Sequence, residues 1–141
     1  MNFDKQISFI ESNKRIGKRD CFGWNEIEMK VYLRWAACFG YLFEVWNDSE
    51  LSGIGVAYPV KSKTPERDDF FKFSQIVDFN DEKDYPLFIA DWLAVSKQGR
   101  VGLVDKFKRR FPNWDTQTKL GIQNDRVRIL SNKYINLLNN I

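Results

Sequence analysis

The sequence predicts an α/β fold: a mixed, mostly antiparallel central sheet flanked by helices, in one domain of 141 residues. Three patterns predict it. Apolar residues near the start recur every three or four positions, the helical period. Two aromatic and β-branched runs, 41–46 and 54–60, flank a stretch rich in turn residues, which is how an antiparallel hairpin reads. A continuous apolar run at 87–95 then leads into a second helical pattern, as a strand buried on both faces would.

The elements follow in order. Phe3, Ile7 and Ile10 predict a first helix over 3–14. Residues 15–24 (RIGKRDCFGW) read as a loop with Gly17 and Gly23. Asn25 suits an N-cap, because its side-chain oxygen can accept a free first-turn N–H, and Glu26 and Glu28 complement the positive end of the helix dipole. Ile27, Val31, Arg34 or Trp35, and Cys38 carry that helix to about 39, where Gly40 stops it. YLFEVW (41–46) is a strand, NDSELSG (47–53) a turn, and IGVAYPV (54–60) a second strand with Pro59 near its end. Residues 61–69 form a polar loop. Residues 70–79 suit a helix or a strand equally, and 80–84 an acidic turn. The run 87–95 is a central strand with Asp91 in its middle. Val101, Val104, Phe107 or Lys108, and Phe111 predict a helix over 100–110, closed by Pro112, with Lys106, Lys108, Arg109 and Arg110 on its exposed side. KLGIQ and RVRIL, within 118–130, suit one or two strands. Tyr134, Leu137, Leu138 and Ile141 predict a helical tail.

Composition removes several functions. There is no histidine, which excludes Ser-His-Asp and Cys-His nucleophile systems and histidine-based zinc sites. Cys21 and Cys38 are too few for a four-cysteine metal site, so no metal is expected; they read as two buried free thiols in a reducing compartment, with one disulfide arithmetically open. Apolar residues make up 43% and aromatic ones 16%, enough for a core, and Trp24, Trp35, Trp46, Trp92 and Trp114 are expected in the core or an interface. The net charge is +3, and Asp68, Asp69, Asp81, Glu82 and Asp84 dilute the one basic stripe, so a nucleic-acid partner is not expected. The start MNFDKQISF is not of signal-peptide type. Residues 36–45, the longest apolar stretch, are interrupted by Gly40 and Glu44 and fall far short of the roughly 20 needed for a membrane span. A soluble, cytoplasmic protein is expected, with a homo-oligomer left open.

The chemistry points to 87–111. A helix N-terminus behind a small-residue loop presents unpaired backbone N–H groups and the positive end of a dipole, which together attract an anion. Gly99 and Gly102 would let a phosphate approach the backbone, Lys97 and Arg100 add charge, and Gln98 adds an amide donor. An ordinary strand-to-helix turn with solvated Lys97 and Arg100 accounts for the same residues. No Walker A sequence and no GxGxxG is present.

The order of elements resembles the GNAT acyl-CoA N-acyltransferases. Their pyrophosphate loop would fall on Lys97, Arg100 and Gly102, with Arg100 standing where the family has Gly. Val56-Ala57-Tyr58, Phe88-Ile89-Ala90-Asp91-Trp92-Leu93-Ala94 and Phe107-Lys108-Arg109-Arg110-Phe111-Pro112 are similar to the RTX-toxin-activating lysine acyltransferases, over roughly residues 50–112. That family's catalytic histidine has no counterpart here.

The resemblance implies an acyl-CoA (acetyl-CoA or longer) and an amine or lysine acceptor. Backbone N–H groups at Leu93, Ala94 and Val95 would stabilise the oxyanion if the strand splays there. The stretch Lys97, Gln98, Gly99, Arg100, Val101, Gly102 and Leu103 would hold the pyrophosphate, with the 3′-phosphate near Lys106 or Arg109. Asp91 would accept the amine's proton and Tyr134 would protonate the leaving thiolate. Asp91 as a structural partner of a buried Arg such as Arg34, and Tyr134 as a core residue, are the plainer roles for both. The alternative function is a GNAT-like binding or assembly protein without activity, for example in a virus particle or a host-takeover complex.

Overall fold

The computed structural model describes residues 2–13, 25–62, 77–123 and 126–137. The expected loop at 15–24 with Cys21 and Trp24, most of the 61–69 loop, residues 70–76, and Leu138 and Ile141 of the tail lie outside the described residues. The elements are α1 (Asp4–Asn13), α2 (Glu26–Cys38), β1 (Leu42–Asn47), β2 (Glu50–Pro59), a 3-10 helix (Phe79–Asp84), β3 (Leu87–Ala94), α3 (Lys97–Arg110), β4 (Lys119–Gln123), β5 (Arg126–Leu130) and α4 (Asn132–Leu137). The strands form one mixed sheet in chain order, antiparallel except for the β3–β4 pair. The expected α/β class and the mostly antiparallel sheet flanked by helices are what the structure shows. No helix among the described residues is long and apolar enough to cross a membrane.

α2 begins as its sequence dictates. The Asn25 side chain accepts the Glu28 N–H at 2.9 Å, and Gly40, at φ +72°, turns the chain out of the helix. The buried face is the expected one only at Trp35. Met29, Tyr32, Leu33, Trp35 and Ala36 are buried, whereas Ile27 is 77% exposed, Val31 is exposed, and Cys38 is an exposed free thiol rather than a buried one. Two apolar stripes interleave on this helix. The aromatic one wins because the sheet offers it rings: Trp35 packs on Tyr58 at 5.1 Å and on Tyr41 at 5.6 Å between centroids.

The hairpin is tighter than its turn-rich sequence suggests. Asn47 pairs with Glu50, so only Asp48, at φ +57°, and Ser49 form the loop, and β2 starts at Glu50 instead of 54. α3 likewise starts at Lys97 rather than 100, because Ser96 caps it by accepting the Gly99 N–H at 3.0 Å. The acidic turn at 80–84 lies within the 3-10 helix, and 118–130 resolves into two paired strands.

The helices lie on the two faces of the sheet. α2 covers one. α3 covers the other through Phe107, which meets Phe43 and Trp92 at 6.3 and 6.2 Å. α4 joins α3 there, since Ile135 packs with Val104 and Leu130. β2 is bare at two points on the α3 side: a side-chain carbon on Gly55 would meet Trp92 at 2.6 Å, and one on Gly53 would meet Leu103 at 3.0 Å. The tryptophan and the leucine fill room that β2 leaves empty.

Candidate functional site

β3 occupies the middle of the sheet, as expected of 87–95. Its register with β2 slips between Val56 and Ala57, so that Val56 faces Asp91, Ala57 faces Ile89, and Ala90 is the extra residue of a bulge. The ladder with β4 covers Leu87, Phe88 and Ile89 and stops there. Beyond the bulge β3 and β4 are no longer paired. Val95 N–H still donates to Ser52 O on β2 at 3.1 Å. Alternation along the strand therefore turns the N–H and C=O of Ala94 and Trp92 to the side from which β4 has withdrawn.

The bend after β3 differs from the glycine cradle that the sequence suggests. Gly99 N–H is taken by the Ser96 hydroxyl, and Arg100 N–H donates to Ser96 O at 3.1 Å. A side-chain carbon on Gly99 would collide with the Ser52 carbonyl, and one on Gly102 would meet Val45 Cγ2 at 2.6 Å. Both glycines face the sheet and bring the helix close to β1 and β2; neither opens a path for phosphate. Leu103 is wholly buried, Leu93, Val101 and Arg100 are half-buried, and Lys97, Gln98 and Val95 are exposed. Two polar atoms on this side are buried without a hydrogen-bond partner, Arg100 Nε and Trp92 Nε1.

Asp91 is 2% exposed. Its Oδ2 accepts the Tyr32 hydroxyl of α2 at 2.5 Å, while Arg34, the partner expected from sequence, is exposed. Tyr134 is also not where the sequence puts it: it is 39% exposed, and the neighbouring Ile135 is the buried residue of α4. Asp91 faces α2 and α4 packs on the α3 side, so the sheet separates the two expected catalytic residues.

Sequence reasoning missed a polar cluster at the other end of α3. Arg110 grips both carboxylate oxygens of Glu82, at 2.6 and 3.0 Å. It also donates to Gly40 O and Phe39 O, each at 3.1 Å, and so ties down the end of α2. Arg110 is therefore not part of an exposed basic face. Gln117 Nε2 donates to Glu82 O at 2.7 Å and Tyr85 O at 2.8 Å. Beside them lies a cleft of about 210 Å³, walled by Phe79, Asn80, Lys83 and Asn113. Burial, and Glu82 after it, hold the Tyr41 phenol above its usual range. The only signal in the sequence was the loose pairing of an acidic turn with a basic helix end.

Lys119 is 3% exposed, and its ammonium donates to Trp114 O and Gln117 O, each at 2.6 Å. Burial holds its pKa below 10.5, and Asp115 opposes this. The unfolded chain then binds more protons than the folded one between the lowered value and 10.5, so stability rises with pH across that window. The expected result is that Lys119→Met removes this rise. The check is Tm from pH 7 to about 9.5, stopping short of the range where unfolded Tyr41 ionises and pulls the other way. A rise of equal size in both proteins would refute it.

Among the described residues no group of three or more His, Cys, Asp or Glu is placed to hold a metal. No protein-family model matches the sequence, and no curated protein or solved structure matches the chain.

Proposed function

We propose that this chain binds an acyl-CoA-type thioester along the open edge of β3 and passes its acyl group to an amine, as the GNAT-like resemblance implies. The parting of β3 from β4 at the bulge carries the reading. An amide-bearing thioester arm can pair with the Trp92 and Ala94 backbone as an added strand would. The same N–H groups can donate to an oxyanion. Arg100 and Lys97 supply positive charge for phosphates at that end. The bound thioester brings the activated carbonyl; the chain's own part is to bind and orient it. With Asp91 held by Tyr32 and walled off by the sheet, the attacking ammonium would lose its proton to water, the carbonyl–sulfur bond would break as the amide forms, and the departing thiolate would take a proton from water.

The second reading is a GNAT-like binding or assembly protein without turnover. The sealed Asp91 and the use of Gly99 and Gly102 for packing favour it. Thermal shift with acetyl-CoA and longer acyl-CoAs separates the two. A ligand at a hundred times its Kd stabilises the native state by about 2.7 kcal/mol. The first reading expects a clear rise in Tm and transfer to a lysine peptide that survives Asp91→Asn. No shift at millimolar acyl-CoA selects the second. Loss of transfer with binding intact in Asp91→Asn would return that residue to a catalytic role.

A further inference from the structure

The cleft at the C-terminal end of α3 has a polar group in its wall that the fold leaves unused. Gln117 lines the cleft and is only 8% exposed. Its side-chain nitrogen spends both N–H groups, on Glu82 O at 2.7 Å and on Tyr85 O at 2.8 Å. Two carbonyl partners fix which end of the amide is nitrogen, so Oε1 is held in place as an acceptor. That oxygen accepts no hydrogen bond among the described residues, yet it is not one of the sealed polar atoms without a partner. The cleft is the space from which it is reached. Phe79 stands at the rim, 55% exposed but fixed, with the Arg110 guanidinium 5.7 Å from its ring centroid and the Phe39 ring at 6.4 Å. The side chains of Asn80, Lys83 and Asn113 line the same space and make no hydrogen bond or ion pair among the described residues.

We infer that this cleft binds an uncharged lactam heterocycle, a flat ring with an N–H beside a C=O, as in uracil or hypoxanthine. The site is separate from the thioester reading and independent of it. The lactam N–H is the donor that Gln117 Oε1 lacks. The adjacent C=O accepts from Lys83 or Asn113, whose donors are uncommitted. Phe79 offers a ring face on which a flat heterocycle stacks. The volume, about 210 Å³, is below the roughly 300–1,000 Å³ of sites for drug-sized ligands, so it suits one small ring system. Charge on the wall disfavours an anion. Arg110 neutralises Glu82, and along the 3-10 helix and its cap the single Lys83 meets Asp78, Asp81 and Asp84, 1 − 3 = −2. A phosphate on the ligand therefore hinders binding rather than helping it.

The test is calorimetry on the intact protein with uridine and inosine, at least one of which should bind with a Kd below about 1 mM. N3-methyluridine and N1-methylinosine keep the ring and lose the N–H, and each should bind about tenfold more weakly than its parent. Uridine 5′-monophosphate should bind no more tightly than uridine, and spermidine, a cation suited to the acidic wall, should not displace the lactam. Phe79→Leu keeps an apolar side chain but removes the stacking face, and should weaken binding by about fivefold or more with an unchanged Tm. No binding of either lactam at millimolar concentration, equal affinity for the methylated ligands, tighter binding of the monophosphate, displacement by spermidine, or wild-type affinity in Phe79→Leu would each overturn the inference.

Discussion

Replacing Gly99 with alanine is expected to destabilise the protein by about 3 kcal/mol, the upper part of the range for overpacking a filled interior. Helix propensity alone says the opposite, since alanine is favoured over glycine inside a helix by about 1 kcal/mol. What reverses the sign is the Ser52 carbonyl, which occupies the place the new methyl would take. That carbonyl is strand backbone and already accepts the Val95 N–H, so it has nowhere to swing. Relief requires lifting the start of α3 off β2, which loosens the Val95 hydrogen bond. Gly102→Ala should cost less, because it meets the Val45 side chain and not fixed backbone. Urea unfolding of both variants checks this. A Gly99→Ala midpoint at or above that of the wild type would show that the helix does not sit this close to the strand.

Arg110→Ala should cost about 3 kcal/mol, the lower end for breaking a buried ion pair by removing one partner. That corresponds to a fall in Tm on the order of 10 °C. The side chains of Glu82 and Arg110 are only 10% and 24% exposed. Truncating the arginine leaves the Phe39 and Gly40 carbonyls without this donor and the Glu82 carboxylate with only the long bond from the Tyr41 hydroxyl, at 3.5 Å. Arg110→Lys should recover little, because an ammonium cannot span both carboxylate oxygens and two carbonyls as the planar guanidinium does. Glu82→Gln, which keeps the shape of the site, should be milder than Arg110→Ala. Thermal unfolding of the three variants provides the comparison; a loss within about 0.5 kcal/mol for Arg110→Ala, as at an ordinary surface position, would refute the arrangement.

Much of the fold was legible because local chemistry decided it. Asn25 and Gly40 set the ends of α2 through hydrogen bonds and backbone angles that need no distant partner, and the turn residues after Trp46 marked the hairpin though not the start of β2. The face of α2 was not legible. Ile27 and Val31 make as regular a stripe as Tyr32 and Trp35, and only the rings of Tyr41 and Tyr58 across the gap decide between them. The start of α3 was read as a loop because Gly99 and Gly102 weaken a helical pattern; in the structure their lack of side chains serves helix-to-strand contact. A missing side chain admits a ligand and a neighbouring strand equally well, and sequence carries no sign of which is there. The pairing of Asp91 with Tyr32 and of Arg110 with Glu82 was hidden for a related reason: each joins residues that only the completed sheet brings together.

The vacancy that Gly55 leaves on β2 is filled by the indole of Trp92, which makes the two positions share a single allotment of volume. Neither can drift alone. A bulkier residue at 55 evicts the indole, and a smaller one at 92 opens a void over bare backbone. Volume added at one position is therefore best offset by volume removed at the other, although more than thirty residues of sequence separate them.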